Sequence, residues 1–481
     1  MCPKVSIQVA FDGFCATLFL AAGLVYCEAG STEQVQHMNI IYYSTNSNQF
    51  NPEDFSIRSL PSKASEWDSL AQKYPEHTFF IYTQLPGTFL IDLDGGKVSP
   101  RSTSVSYTLS DETDAEKIAE EILALHPDIA IAATFWVTPY DWLGMKDAMV
   151  ADLLREQGVQ TICHPLSTQA VFFDKAESHR VLKAMGITVP KAVFFHHELY
   201  RTERSHKELK TNVYKEYLHG EIERLHYPLV IKPTTGMSSY GMEVARTFKE
   251  TCVFLHSGRT NGDRIIEEYV DGIQFGCEIY GADGQYTVMP PLAFSLTKYG
   301  ITSPKQSEKL GPFPLPQELS SMLKKIASAY SFSGIAQADV ILKEGKWYLL
   351  EINPRLSGMT ETYAAGMGIS TIELLLKIAL AQPIPAERLR AVCNMKLPIP
   401  DDEAMKHMAT VPCVQSIHRM HNLAAHQLRE RGYAEIIFSC QNDNNGSIEH
   451  LMQEIEDFAR AFPDFLEPIF LENARLLAAK H

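Results

Sequence analysis

The sequence predicts an α/β protein with an N-terminal doubly wound parallel α/β domain, a central subdomain and a C-terminal α+β region. Three observations carry this. Over the first 165 residues, short β-rich runs alternate with helical patterns. After 166, glycine and proline punctuate the chain as strand, loop, strand. One apolar strand, within "YLLEINPRLSG" at 348–358, ends with Glu351, Asn353 and Arg355 at alternate positions, so all three share a face. At 481 residues the chain exceeds one core, and length alone suggests roughly three to four domains or subdomains. The expected divisions are 1–165, 166–270, 271–390 and 391–481.

Composition narrows the class. With 45% hydrophobic and 21% charged residues, the chain reads as an ordinary globular protein. A formal charge of −15 argues against general binding to nucleic acid or an anionic membrane, since both need basic surface. The nine cysteines form no CxxC pair, which suits reduced thiols in a cytoplasmic protein. The apolar run "FCATLFLAAGLVYC" at 14–27 is too short to span a bilayer. Asp12 stands where a signal peptide carries positive charge, so strand, turn and buried helix are expected there.

In chain order, "MNIIYYST", "HTFFIYTQ", "TFLIDLDGG" and "DIAIAAT" are expected strands. "DETDAEKIAEEILALHP" is a helix with Asp111 as N-cap, and "YDWLGMKDAMVADLLREQG" is another, closed by Gly158. From 166, one helix runs to Gly186 and an extended "TVPKAVFF" follows. Residues 198–226 read as charge-rich, solvated helix. "YPLVIKPTTGMSSYGMEVAR" is strand, loop, strand, and "RIIEEYVDGIQFGCEIY" is two strands joined through Asp271 and Gly272. A proline-spotted loop spans 289–316. A helix over 317–330, a hairpin into 348–358 and the helix "TIELLLKIALAQ" come next, and the last ~90 residues have α/β texture.

Three stretches carry chemistry. In "AQADVILKEGKWYLLEIN", a three-residue loop at Glu344-Gly345-Lys346 sets Asp339 opposite Glu351 on one face. A two-residue turn would instead pair Asp339 with Leu350 and separate the carboxylates. The first register gathers Asp339, Glu351 and Asn353, hard oxygen ligands suited to Mg²⁺. A structural ion-pair cluster with Arg355 accounts for the hairpin alone equally well. In "IKPTTGMSSYGM", Gly236 and Gly241 let backbone amides approach phosphate oxygens, Ser238 and Ser239 add donors, and Lys232 supplies a point charge. A plain hairpin turn also fits that stretch. "IIEEYVDG" at 265–272 reads by itself as a strand with solvated acids.

Taken jointly and in this order, these stretches resemble the ATP-grasp superfamily of carboxylate–amine and carboxylate–thiol ligases. The resemblance covers about 166–390 and is most specific at "LEINPR". It implies an ATP-grasp fold with a central lid subdomain. By position, Lys175 and Lys232 resemble the two phosphate-contacting lysines, and the glycine-rich loop resembles the lid. Glu267, Glu268, Tyr269 and Val270 resemble the adenine-facing hinge. Gln274 stands where the family usually has a ribose-binding glutamate. Asp339, Glu351 and Asn353 resemble the ligands of two Mg²⁺ ions, with Mn²⁺ as a substitute. Arg355 resembles the arginine that steadies the carboxylate and oxyanion, with Ser357 and Gly358 beside it. "LTKYGITSPKQ" resembles the substrate-covering loop of the D-alanine–D-alanine ligase branch, with Lys298 as the γ-phosphate lysine.

The implied activity is ATP-dependent ligation of a small-molecule carboxylate, such as an amino acid, to an amine through an acyl phosphate. Chain layout resembles the L-amino-acid ligase and carnosine-synthase-like branch, and a homodimer is the expected assembly. A carboxylase-type enzyme and a non-catalytic nucleotide-binding regulator are the competing readings. Tyr299, Trp347 and Met359 are weighed as pocket residues against plain packing, and His196-His197 is read as surface.

Overall fold

A computed structural model of the chain describes residues 36–45, 55–84, 103–134, 143–205, 212–236, 241–296, 308–422, 433–440 and 446–480. The apolar run at 14–27 and the expected strand "TFLIDLDGG" lie outside them. Residues from His37 onward belong to one unit.

Asn39–Ser44 (β1), Thr78–Gln84 (β3), Ser106–Ser110 (β4), Ile129–Ala132 (β5) and Gln160–Ile162 (β6) form an all-parallel sheet in the order β4-β3-β1-β5-β6. Alternation along β1 explains the double winding. Ile40 and Tyr42 enter one core with Trp67 and Leu70 of helix Lys63–Lys73, while Ile41 and Tyr43 enter another with Ile118, Val150 and Leu154. β4 and β6 were not foreseen, because one is polar and the other only three residues long. The helix expected from Asp111 instead spans Ala115–Leu123 and is capped by Asp114, which accepts from the amides of Glu116 and Lys117.

The helix expected across 166–186 is two, Leu166–Phe173 and Lys175–Ala184, broken at Asp174. Asp174 is extended and its carboxylate accepts from the amides of Ala176 (2.7 Å) and Glu177 (3.0 Å), so it starts the second helix. An antiparallel sheet follows, from Ala192–Phe195 (β7), Leu229–Pro233 (β8), Glu243–Ala245 (β9) and Arg264–Glu268 (β10), ordered β7-β10-β8-β9. Helices His197–Ser205 and Val213–Glu223 bury Tyr200, Leu218 and Ile222 against it, so this charged insertion is not merely solvated.

The largest sheet comprises Ile273–Ala282 (β11), Gln285–Val288 (β12), Leu292–Phe294 (β13), Lys309–Gly311 (β14), Gly334–Lys343 (β15), Lys346–Asn353 (β16), Val392–Leu397 (β17), Val414–Asn422 (β18) and Tyr433–Ser439 (β19). Its order is β16-β15-β11-β13-β14-β17-β19-β18, with β12 on β11. One more strand completes it. Phe55–Leu60 (β2), from within the stretch expected to be the N-terminal domain, pairs antiparallel with β18. The core behind this sheet runs continuously from Phe172 and Leu182 to Phe458 and Leu477.

Candidate functional site: a charged row between two sheets

The site begins with the β15–β16 hairpin. Glu344 (φ +50°) and Gly345 (φ +74°) are both left-handed, so the connection is a two-residue primed turn and not the expected three-residue loop. On a regular ladder that turn would set Asp339 against Leu350. A bulge restores the pairing: Val340 faces Leu349, Asp339 faces Glu351, and Leu350 is left over. Leu349 and Ile352, three apart, therefore both point into the core, at 0% and 1% exposure. Asp339 and Glu351 meet on the opposite face as expected, by a different route.

Hydrogen bonds string this face together. Gln337, opposite Asn353, donates to Asp339 Oδ1 (2.7 Å). Asn353 Nδ2 donates to Glu351 Oε1 (3.2 Å), and Arg355 Nη2 donates to Asn353 Oδ1 (2.8 Å). Gln337 was not singled out in the sequence, although its spacing of two from Asp339 places it on the same face.

Two lysines approach from other elements. Lys175, the first residue of its helix, has its backbone amide on Thr234 O (2.7 Å). Its Nζ donates to Gly236 O (2.5 Å) and stands 3.8 Å from Glu351 Oε2. Lys232, on β8, pairs with Glu267 Oε2 of β10 at 2.6 Å. Burial, and next the charge of Glu351, push Asp339 up to about 7. Burial also acts to raise Glu351, but Lys175 and Lys232 hold it below the usual carboxylate range. Burial acts to lower Lys232, yet Glu267, Glu351 and Asp339 keep it raised and charged.

The remaining expected residues divide. Gly236 (φ +114°) and Gly241 (φ +67°) hold left-handed backbone at the two ends of the loop. Ser238, Ser239, Lys298 and Tyr299 lie outside the described residues. Glu267 is buried on the lysine side, but Glu268 turns to the other face, where it accepts from the amide of His226 (3.0 Å). Tyr269 donates its amide to Pro228 O, and Val270 is buried. Gln274 pairs with Ile341 across β11–β15. Trp347 and Met359 are buried in two different cores, so packing accounts for them. His197 donates its amide to Asp263 Oδ1 (2.8 Å), and exposed His196 has the same carboxylate 3.9 Å away, consistent with a surface pair.

Ser357 departs from expectation. It is 2% exposed, and its hydroxyl donates to Glu278 Oε1 (2.9 Å), so its side chain supports the fold instead of facing a ligand. Thr360 (2.7 Å) and Tyr280 (2.6 Å) donate to the same carboxylate, which burial pushes up to about 7. No sequence signal separates a buried glutamate like this from a solvated one. Gly358 O accepts from Lys309 Nζ (3.1 Å).

The row can take a hard cation. Two carboxylates, the hard oxygen donors a divalent cation takes, face each other, and burial with the charge of Glu351 raises Asp339 to about 7. Among the described residues no three or more His, Cys, Asp or Glu gather as a metal site, and this set is two carboxylates with amides. Among the same residues no helix is long and apolar enough to cross a membrane.

A family model described as D-ala D-ala ligase C-terminus matches residues 181–374. A D-alanine--D-alanine ligase of Maridesulfovibrio salexigens is 32% identical over 173 residues, 33% of this chain and 56% of that one. A carbamoyl phosphate synthase large chain of Clostridium beijerinckii is 22% identical over 301 residues, 59% of this chain and 25% of that one. The chain thus spans about a quarter to a half of the length of these relatives. Among solved structures, the L-amino acid ligase from Bacillus licheniformis superposes with TM-score 0.56 at 16% identity, covering 89% of this chain and 98% of that one. The N5-carboxyaminoimidazole ribonucleotide synthetase from Thermus thermophilus does so with 0.58 at 14% identity, covering 88% and 98%.

Proposed function

The chain belongs to the ATP-grasp superfamily of carboxylate–amine ligases, and on that premise we propose that it joins a small carboxylate to an amine at the expense of ATP. The observation that carries this reading is the pairing of Asp339 with Glu351, with Lys175 3.8 Å from the latter.

In this reading a substrate carboxylate oxygen attacks the γ-phosphorus of ATP, the bond to the β-phosphate oxygen breaks, and ADP leaves. The amine nitrogen then bonds the acyl carbon, the carbon–oxygen bond to phosphate breaks, and the nitrogen releases a proton as phosphate departs. Phosphoryl transfer of this kind needs positioning and charge neutralisation more than covalent help. Lys175 and Lys232 supply positive charge to the phosphates from the helix start and from β8. Gly236 and Gly241 flank the stretch that corresponds by position to the family's lid, and the 267–270 segment corresponds to its adenine-facing hinge. Asp339, Glu351 and Asn353 would hold Mg²⁺, as two ions or with Mn²⁺ in its place; bound there, it neutralises phosphate charge. Arg355, already held by Asn353 Oδ1, presents a guanidinium fork able to grip the substrate carboxylate and stabilise its oxyanion. In domain terms, 166–270 is the lid, 271–390 the catalytic part, and 1–165 and 391–481 flank them.

Release of phosphate with ATP, Mg²⁺ and a panel of amino acids, with the product weighed by mass spectrometry, tests the reading. Amide products support it. Strict dependence on bicarbonate would favour a carboxylase, and no release with any acid–amine pair a binding protein. Glu351→Gln should lower turnover by about a thousandfold or more while leaving the fold intact. Near-wild-type turnover in that variant would remove Glu351 from the metal set.

A further inference from the structure

Beyond Asn353 the chain turns from β16 toward helix Thr360–Met367, and Arg355 sits in that turn. Its amide donates to Asn353 O (2.9 Å), two residues back. Two residues on, the Ser357 hydroxyl is fixed on Glu278 Oε1. Pro354 has no amide to donate, so its carbonyl is its whole backbone capacity for hydrogen bonding. That carbonyl accepts from Gln169 Nε2 at 2.6 Å, and the bond is buried.

Gln169 is itself held in place. It lies, 7% exposed, on helix Leu166–Phe173, which carries none of the site residues assigned above. Asp152 Oδ2 accepts from the amide of Leu166 (3.2 Å), and Thr168 donates to Tyr330 O. Phe172 packs edge-on against Tyr330 and Phe332, with centroids 5.0 Å and 5.7 Å away. On its other side stands Gly144 of helix Leu143–Glu156, where a Cβ would lie 3.3 Å from Gln169 Oε1. Glycine leaves the amide its place, and alanine would crowd it. Gly144, Gln169, Pro354 and Arg355 all line one cavity of about 460 Å³. With that space beside it the turn is not fixed by close packing alone, and directed bonds set where the guanidinium starts.

Resting on the ligase reading above, we propose that Gln169 is a positioning residue for Arg355. By holding Pro354 O, it fixes the turn from which the guanidinium reaches the substrate carboxylate.

Gln169→Met keeps the side chain's length and removes its donor. In the full chain with MgADP, the amides of Arg355 to Met359 should exchange with deuterium at least about tenfold faster than in wild type, while those of β15 stay unchanged. With a carboxylate that wild type accepts, the KM for that acid should rise by about tenfold and the KM for ATP stay within about twofold. A merely structural role would move both KM values together. Gly144→Ala, favourable within a helix, should shift exchange and the acid's KM in the same direction without lowering Tm, and it carries both readouts if Gln169→Met fails to fold. Unchanged exchange, an acid KM that stays at the wild-type value, or acid and ATP KM values that rise together overturns the proposal. The ligase reading fails separately: if wild type forms no hydroxamate from any acid with ATP and hydroxylamine, that reading falls, and exchange alone still decides whether Gln169 holds the turn.

Discussion

Asp339 is where folding and ligand binding compete for one proton. Burial, and then Glu351, hold its carboxyl up at about 7. Between the ordinary aspartate value and that point the folded chain keeps a proton that the unfolded chain has released. Stability from this group is thus present at low pH and is lost as pH rises through about 7. A divalent cation bound at the pair, as proposed, would offset that loss by expelling the proton. Mg²⁺ affinity should therefore climb by about tenfold per pH unit below about 7 and level off above it. Titration with MgCl₂ in the presence of ADP at pH 6, 7 and 8 checks this, and a flat profile would detach Asp339 from the cation. Glu278 is raised to about the same value but is enclosed by three hydroxyl groups. It contributes the same trend in stability without responding to Mg²⁺.

Among the elements, the hairpin and the helix at Lys175 position the site. Asp174 caps that helix, so Asp174→Ala should cost about 1 kcal/mol of stability and weaken ATP binding, while Asp174→Asn should restore both. Melting curves and nucleotide titration of the two variants decide it; an alanine variant equal to wild type would show that the cap does not place Lys175. Neither feature was fully legible in the sequence. The alternation of Glu351, Asn353 and Arg355 identified the shared face, because period two is written directly in a strand. The turn length did not show, since Glu344-Gly345 and a leftover Leu350 give the same pairing as a longer loop. The break at Asp174 was hidden because no glycine or proline marks it, only a side chain that competes for backbone amides. Lys232 and the glycine-bounded loop were visible as a local run, whereas Lys175 came only through the family resemblance. Glu278 was not visible, because Ser357 and Thr360, which enclose its carboxylate, come from a distant segment and no spacing records that.

For the whole molecule, the sheet order matters more than any single bond. Tyr42 of β1 donates to Ile372 O (2.8 Å) and Lys73 pairs with Glu373 (2.6 Å), tying the parallel sheet and its helix to Thr371–Ala379. β2 goes further and supplies a strand to the far end of the largest sheet. A fragment of residues 166–481 should leave β18 an unpaired edge and self-associate, whereas the same fragment carrying residues 55–60 on a flexible tether should not. Sedimentation of the two distinguishes them, and a monodisperse untethered fragment would show that β2 is dispensable. Leu60 lies against Ile417, and Ser59 bonds His418, across more than 350 positions of chain. On the ribosome, then, this ribbon must wait for its mate until all the chain between them has been made.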